Sequence, residues 1–452
     1  MDYDILIIGS GPAGQHAAWQ AASMGKRAAI IERKPSIGGA GLQTGTIPSK
    51  TLREAAYMAS RSGVMNMPLA RHGVLADAMR RKEMVIGQQE SVILKRLMKS
   101  GVALIPGDAS FIDAHTLAVM DHKGASRHLS ADVIVLATGS RPCRPTDVPF
   151  DKKTVLDSTS ILKLKRLPKS LLVVGGGVIA CEFVSIFAAL GVEVSVVDSH
   201  AQLLAYLSED VVGVLADSFA QMGVSLHMQQ RVVAICKEDE QILVRLESGK
   251  KLYAETVLYA LGRQPNTEWL NIAQVGITLD QGWISVNDKF QSCVPHIYAV
   301  GDLVGRPALA STGMEQGRVA VLHAFGGSGQ AMPANLPMAI YTIPEISWVG
   351  KTEKEAQRDH IDYVIGHGYY SDSARGQIIG ESNGLVKLLV DKQSHRLIGA
   401  HIAGKHASEL IHTGQLLMNF NGTVHDLVAN AFNYPTLAEC YKLAALDCLS
   451  HL

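Results

Sequence analysis

Two stretches of this sequence carry small residues at a spacing that lets a backbone approach a phosphate. In the first, the apolar run DILII (4–8) leads into Gly9-Ser10-Gly11-Pro12-Ala13-Gly14, a helical stretch to Gly25, and AAIIE ending in Glu32. In the second, LLVV (171–174) leads into Gly175-Gly176-Gly177-Val178-Ile179-Ala180, a helical stretch to Gly191, and EVSVVD ending in Asp198. The glycines allow a tight turn and close backbone contact, and the helix N-terminus offers amides and a partial positive charge to a pyrophosphate. The acid about twenty residues later takes ribose hydroxyls. A single glycine-rich turn can be purely structural. Two copies, each with strand, helix and acid in register, predict a chain that binds two dinucleotides.

The elements that must hold these turns alternate strand and helix, so the class is α/β with parallel sheets. VIVLATG (133–139) and VLYALG (257–262) read as strands ending in similar small-residue turns, one after each nucleotide unit. The first turn is Ala137-Thr138-Gly139 and the second ends at Gly262. IYAVGD (297–302) is a further strand, delivering Asp302 to the start of the helix around STGMEQGRVAVLHAF. By itself Asp302 is equally an ordinary helix N-cap. Near the end, GLVKLLVDKQSHRLIGAHIAG reads as a hairpin turning at Asp391 to Ser394, and ASELIHTGQLLMNF as a helix after it.

Composition narrows the function. At 452 residues the chain is long enough for several domains. Its 42 basic and 42 acidic residues leave no charge excess to recommend nucleic acid or an acidic membrane surface. The six cysteines form no CxxC, which suits a reducing cytosol, and the 17 histidines show no HxH or HExxH spacing, so no metal is expected. Leu171 to Leu190 is nearly apolar, but its three glycines and Glu182 argue for a buried strand and helix, since a central carboxylate costs roughly 2.5–3.5 kcal/mol in a membrane. MDYDILIIGSG begins a strand at once, so no targeting peptide is expected and a cytoplasmic location follows.

In motif order and spacing the chain resembles the class I pyridine nucleotide-disulfide oxidoreductases. The shared motifs are the two fingerprints, IPSK (47–50), the ATG turn, YAVGD and the opening YTIPEISWVG (341–350). The resemblance implies a glutathione reductase-like fold with two Rossmann-like domains and a C-terminal α+β dimerisation domain. It would place 1–150 and 273–335 in the FAD-binding part, 151–272 in the NAD(P)-binding domain and 336–452 in a homodimer interface. FAD would lie against Gly9, Gly11, Pro12, Ala13, Gly14, Glu32, Arg33, Gly39, Thr46, Lys50, Ala137, Thr138, Gly139, Gly301 and Asp302. The nicotinamide nucleotide would lie against Gly175, Gly177, Val178, Ile179, Asp198 and Gly262.

The chain departs from that family where the thiol chemistry belongs. The family's Cys-x4-Cys pair is replaced by Gly41 and Thr46, and the histidine of its HPTxxE motif by Tyr434, within NYPTLAE. Tyrosine, with a reference pKa of about 10, is a poor proton shuttle for a thiolate near neutrality. Pro435, Thr436 and Glu439 remain. So do Lys50 and Glu182, which match the family's ion pair beside flavin N5 and would stabilise negative charge on the reduced flavin. The residues implied for catalysis are therefore Lys50, Glu182, Tyr434 and Glu439, and electrons would enter and leave through FAD. Cys181, beside Glu182, reads as a packed side chain and not a nucleophile.

One branch of the family is built this way, the soluble NAD(P)+ transhydrogenases. GTIPSKTLREA, GSRPCRPTDVPF, IYTIPEISWVGKTE and FNYPTLAECYKLAALDCL are similar to that branch. The implied reaction is ping-pong hydride transfer between NADPH and NAD+, or the reverse, with NAD(H) and NADP(H) as substrates. Asp198 resists this, because an acid there accepts the ribose 2′-OH and repels a 2′-phosphate. A charged hydrogen bond of about 1.5–3 kcal/mol predicts NADH favoured by roughly 10- to 100-fold, with His200 the nearest cation to soften it. Two alternatives therefore stand: an NADH-preferring flavin dehydrogenase that reduces a quinone, oxygen or protein partner, and a redox-sensing flavoprotein.

Overall fold

The computed structural model describes residues 1–62, 68–329 and 331–452 and is mixed α/β. The chain divides into two compact units. The first comprises Met1–Thr51, Asp77–Arg144 and Gly262–Met332, and the second Leu52–Ala76, Pro145–Leu261 and Pro333–Leu452.

At the centre of the first unit the strand Tyr3–Ile8 lies parallel between Ala28–Glu32 and Ser126–Leu136. Ala103–Pro106 extends the sheet beyond Ala28–Glu32, and Ile297–Ala299 pairs with Ser126–Leu136, both parallel. Thr116–Met120 and Asp108–Phe111 add antiparallel strands. Ile5, Leu6 and Ile7 are fully buried, as a parallel strand covered on both faces requires. The helices Pro12–Ser23 and Ala310–Ala324 pack closely on one another, with Gly317 against the Ala13 carbonyl.

The second unit contains two five-stranded sheets. One is wholly parallel, with Ser170–Val174 between Glu193–Val197 and Thr256–Tyr259, and Ser225–His227 and Val155–Leu156 outside them. The apolar run Leu171 to Leu190 is thus a buried strand and the helix Val178–Ala189, which packs apolar residues on nearly every side. Among the described residues no helix is long and apolar enough to cross a membrane.

The other sheet is antiparallel and orders Met338–Ile340, Glu345–Gly350, Leu397–Gly404, Leu385–Asp391 and Tyr363–Tyr369. The hairpin expected around Asp391 to Ser394 is present, with Ser394 donating backbone and hydroxyl hydrogen bonds to Asp391 Oδ1, both at 2.6 Å. The closing helix Glu439–Ser450 buries Cys440, Tyr441, Ala444, Ala445 and Cys448. Leu449 packs partly buried against the same core, whereas Leu446 is 47% exposed. Burial pushes the Cys440 thiol up to about 11 and the Cys448 thiol up to about 12, so neither is a ready nucleophile.

Candidate functional site

Each fingerprint is a turn whose glycines meet different constraints. Gly9 has φ +107°, and a Cβ there would lie 2.4 Å from the Ala137 carbonyl oxygen. A Cβ on Gly14 would lie 2.0 Å from the Gly9 carbonyl oxygen. Protein packing alone dictates both. At the middle glycines the protein exerts no such pressure. A Cβ on Gly11 would meet only Gly39 Cα, at 4.0 Å, and one on Gly177 would meet nothing within 4 Å. Gly11 and Gly177 are the N-caps of Pro12–Ser23 and Val178–Ala189, and neither helix has a side-chain cap. The open space over an uncapped helix start is a place for pyrophosphate oxygens. These residues fit a dinucleotide.

The two acids close their turns in the same way. Glu32, 8% exposed, accepts the Ser10 amide (2.9 Å) and hydroxyl (2.6 Å) on one oxygen and the Lys34 amide (2.9 Å) on the other. Asp198, also 8% exposed, accepts the Gly176 amide (2.6 Å) on Oδ2 and the His200 amide (2.8 Å) on Oδ1. His200 Nδ1 lies 2.6 Å from Oδ1, and the imidazole itself is 66% exposed. Val178 lies exposed at the helix start, with Ile179 behind it. Ala180, the third small residue of this turn, is buried.

Around the first turn the structure gathers groups that the sequence did not mark. Ser10 accepts the Gly38 amide at 3.0 Å and so joins the fingerprint to Gly39, whose backbone passes close to Gly11. Ala137 donates its amide to Ile8 at 2.9 Å, and Asn266 clamps the Thr138-Gly139 turn through Thr138 and Gly139 backbone bonds. Asp302 accepts a 2.6 Å hydrogen bond from Ser140, which in turn accepts one from Arg263 at 2.8 Å. The Gly301 amide donates to Gln316 at 2.7 Å. Asp302 lies in the short 3-10 turn Gly301–Val304, and the following helix begins only at Ala310. That corrects its expected place at the helix start and removes the N-cap alternative. Arg33 turns to Asp108 (2.8 Å) and stacks over Trp269.

The remaining site residues are distributed as follows. Gly41 is in the short helix Gly39–Gln43, and a Cβ there would approach Pro12 Cγ at 3.0 Å. Thr46 is the exposed first residue of the helix Thr46–Arg61, and Lys50 lies half-buried one turn in. Glu182 is 5% exposed and accepts the Tyr341 amide at 2.9 Å. Gly262, with φ +88°, accepts the Cys143 amide within the first unit. Burial, reinforced by the charges of Glu182 and Asp198, pushes the Cys181 thiol far up. All six cysteines are free. Tyr434 is 74% exposed, and Glu439 opens the last helix.

Paired dinucleotide turns on parallel sheets, followed by an antiparallel sheet domain, define a pyridine nucleotide oxidoreductase fold. The chain belongs to the pyridine nucleotide-disulphide oxidoreductase family, whose description matches residues 3–317, with the family's dimerisation domain matching residues 336–445. It is 44% identical over 458 residues to the soluble pyridine nucleotide transhydrogenase of Mycobacterium bovis, covering 100% of this chain and 98% of that protein. The same-named protein of an Enterobacter species is 40% identical over 463 residues, covering 100% of this chain and 99% of that one. Among solved structures, LpdA of Mycobacterium tuberculosis matches with a TM-score of 0.90 at 29% identity, covering 98% of each chain. The HOCl-induced flavoprotein disulfide reductase RclA of Escherichia coli matches with a TM-score of 0.88 at 26% identity, covering 98% of this chain and 99% of that one.

Proposed function

We propose that this protein is a pyridine nucleotide transhydrogenase, moving a hydride between NADPH and NAD+ in either direction on a single flavin. The observation that carries the reading is the combination of two intact dinucleotide turns with Gly41 and Thr46 at the disulfide positions. A thiol relay has nowhere to form there, and a side chain larger than glycine at 41 presses on Pro12. Bound FAD supplies two-electron acceptance and donation at N5. The protein's own residues hold, orient and screen. Gly11 and Gly177 leave room for pyrophosphates at the two helix starts, Asp302, held by Ser140 and through it by Arg263, would meet ribitol hydroxyls, and Lys50 would supply a cation beside the flavin. Such a reaction needs little proton transfer, so positioning and electrostatics provide most of the rate.

The relatives named as transhydrogenases support this reading over an NADH-only dehydrogenase. So does the state of Asp198. Its carboxylate already accepts the Gly176 and His200 amides and lies against the His200 ring, so its oxygens are engaged within the turn and are not held free for a ribose 2′-OH alone. The alternative, an NADH-preferring dehydrogenase, rests on Asp198 alone. We further assign residues 336–452 to a homodimer interface, with Tyr434 and Glu439 at its edge, and place the enzyme in the cytoplasm.

Spectral titration tests the absence of a relay. The purified yellow protein should take up two electrons per FAD with no long-wavelength thiolate–flavin band and no turnover of lipoamide or glutathione. Either signal would return it to the disulfide reductases.

A further inference from the structure

Between the strands Met338–Ile340 and Glu345–Gly350 runs a four-residue strap, Tyr341-Thr342-Ile343-Pro344, that belongs to no strand. Backbone groups in such a segment need partners, and here side chains from three helices provide them. Glu182 accepts the Tyr341 amide at 2.9 Å, and Ser185, one turn along the same helix, accepts the Ile343 amide at 3.1 Å. Ser218 donates to the Ile343 carbonyl at 3.0 Å. Arg53 donates to the Thr342 carbonyl from Nε (3.2 Å) and Nη2 (3.1 Å).

Arg53 is 7% exposed, and its guanidinium also faces Glu345, at 3.4 Å, itself buried and held by the Ser408 amide and hydroxyl. A planar fork is the side chain suited to bridge a carbonyl and a carboxylate at once. Arg53 follows Lys50 by three residues on the continuous helix Thr46–Arg61, so the two project from neighbouring positions on one helix face. The strap thus receives, on adjacent residues, the side chains of Arg53 and Glu182.

We propose that Arg53 is a positioning residue for hydride transfer: clamped to Thr342 and Glu345, it fixes the helix that presents Lys50. This rests on the reading of Lys50 as the cation beside the flavin, and it adds a residue that never touches the reacting atoms.

The test is a double-mutant cycle on the FAD-loaded enzyme, reading the rate constant of flavin reduction by NADPH, the flavin midpoint potential and the NADPH Michaelis constant. Arg53→Met should slow reduction on the order of 10-fold and lower the potential, with the Michaelis constant changed by less than about 2-fold. In a Lys50→Met background the same substitution should add less than about 2-fold, because its effect passes through Lys50. Arg53→Lys, which keeps one donor to Thr342, should recover part of the rate. Equal losses in both backgrounds, or an unmoved potential, would overturn the inference while leaving the role of Lys50 intact. Should Lys50→Met alone leave reduction unchanged, the reading of Lys50 as the flavin's cation falls and this inference with it. If Arg53→Met fails to retain FAD, Glu345→Gln weakens the same clamp more gently and must show the same non-additivity.

Discussion

Asp198 accepts the Gly176 amide at 2.6 Å, so the acid that the fingerprint reserves for ribose is also a brace for the phosphate turn. Glu32 and Ser10 repeat the arrangement in the first unit. Each dinucleotide turn is therefore locked to the end of its second strand by a buried carboxylate. Changing that carboxylate loosens the turn itself.

Asp198→Ser should consequently weaken both nucleotides. Loss of charged hydrogen bonds worth about 1.5–3 kcal/mol predicts roughly 10- to 100-fold higher Michaelis constants for NADH and for NADPH, with turnover little affected. Steady-state kinetics with each nucleotide checks this. A rise confined to NADH would show that Asp198 serves the 2′-OH and does not brace the turn.

Lys50→Met should slow the reductive half-reaction. Losing a charge contact in a partly desolvated site costs about 2–4 kcal/mol, or on the order of 30- to 1000-fold in rate, and lowers the flavin potential. Stopped-flow absorbance with NADPH measures it. Wild-type kinetics would reduce Lys50 to a surface charge.

Much of the architecture was legible because it is local. Apolar runs, glycine turns and terminal acids lie within single βαβ units, so Tyr3–Ile8, Pro12–Ser23 and Ala28–Glu32 could be drawn from pattern alone. Partners distant in sequence could not. Arg53 meets Thr342 across 289 positions, and nothing in either residue's type announces the pairing. Ser140 aiming Asp302, and Gln316 holding Gly301, are hidden for the same reason. YAVGD precedes a helical pattern, which by pattern alone puts Asp302 at a helix start, whereas a 3-10 turn ending at Val304 intervenes.

A charged cluster absent from any sequence expectation sets an acid limit on stability. Lys387, 2% exposed, pairs with Asp210 at 2.7 Å and with Glu353, and Asp210 also meets His367 at 3.0 Å. Burial opposes ionisation of Asp210, but hydrogen bonds from His367, Lys387 and Ser208 overcome it and hold the carboxyl well below its usual range. A carboxyl depressed in the folded state contributes stability that is present above its unfolded pKa of about 3.9 and lost as pH falls through the folded value. The thermal unfolding temperature should therefore fall progressively below about pH 4. Asp210→Asn should flatten that dependence and cost about 3 kcal/mol near neutrality, the lower end for a broken buried pair because Glu353 remains. An unchanged acid profile would remove Asp210 from this role.

Tyr434 is 74% exposed in the single chain, beside a last helix with Leu446 47% exposed. Both suit burial against a second subunit. Sedimentation should show a dimer down to nanomolar concentration, and Leu446→Glu should weaken it together with activity. A fully active monomer would rule out a dimer-dependent site.

Hydride exchange between the two nucleotides tests the account most directly. The purified, FAD-loaded protein should be mixed with NADPH and thio-NAD+, without quinone or any other acceptor. We predict stoichiometric thio-NADH formation with parallel double-reciprocal lines, as expected when one nucleotide leaves before the other binds. Oxidation of NADPH or NADH only when a quinone or oxygen is supplied, with no thio-NADH formed, would contradict the assignment and leave a flavin dehydrogenase in its place.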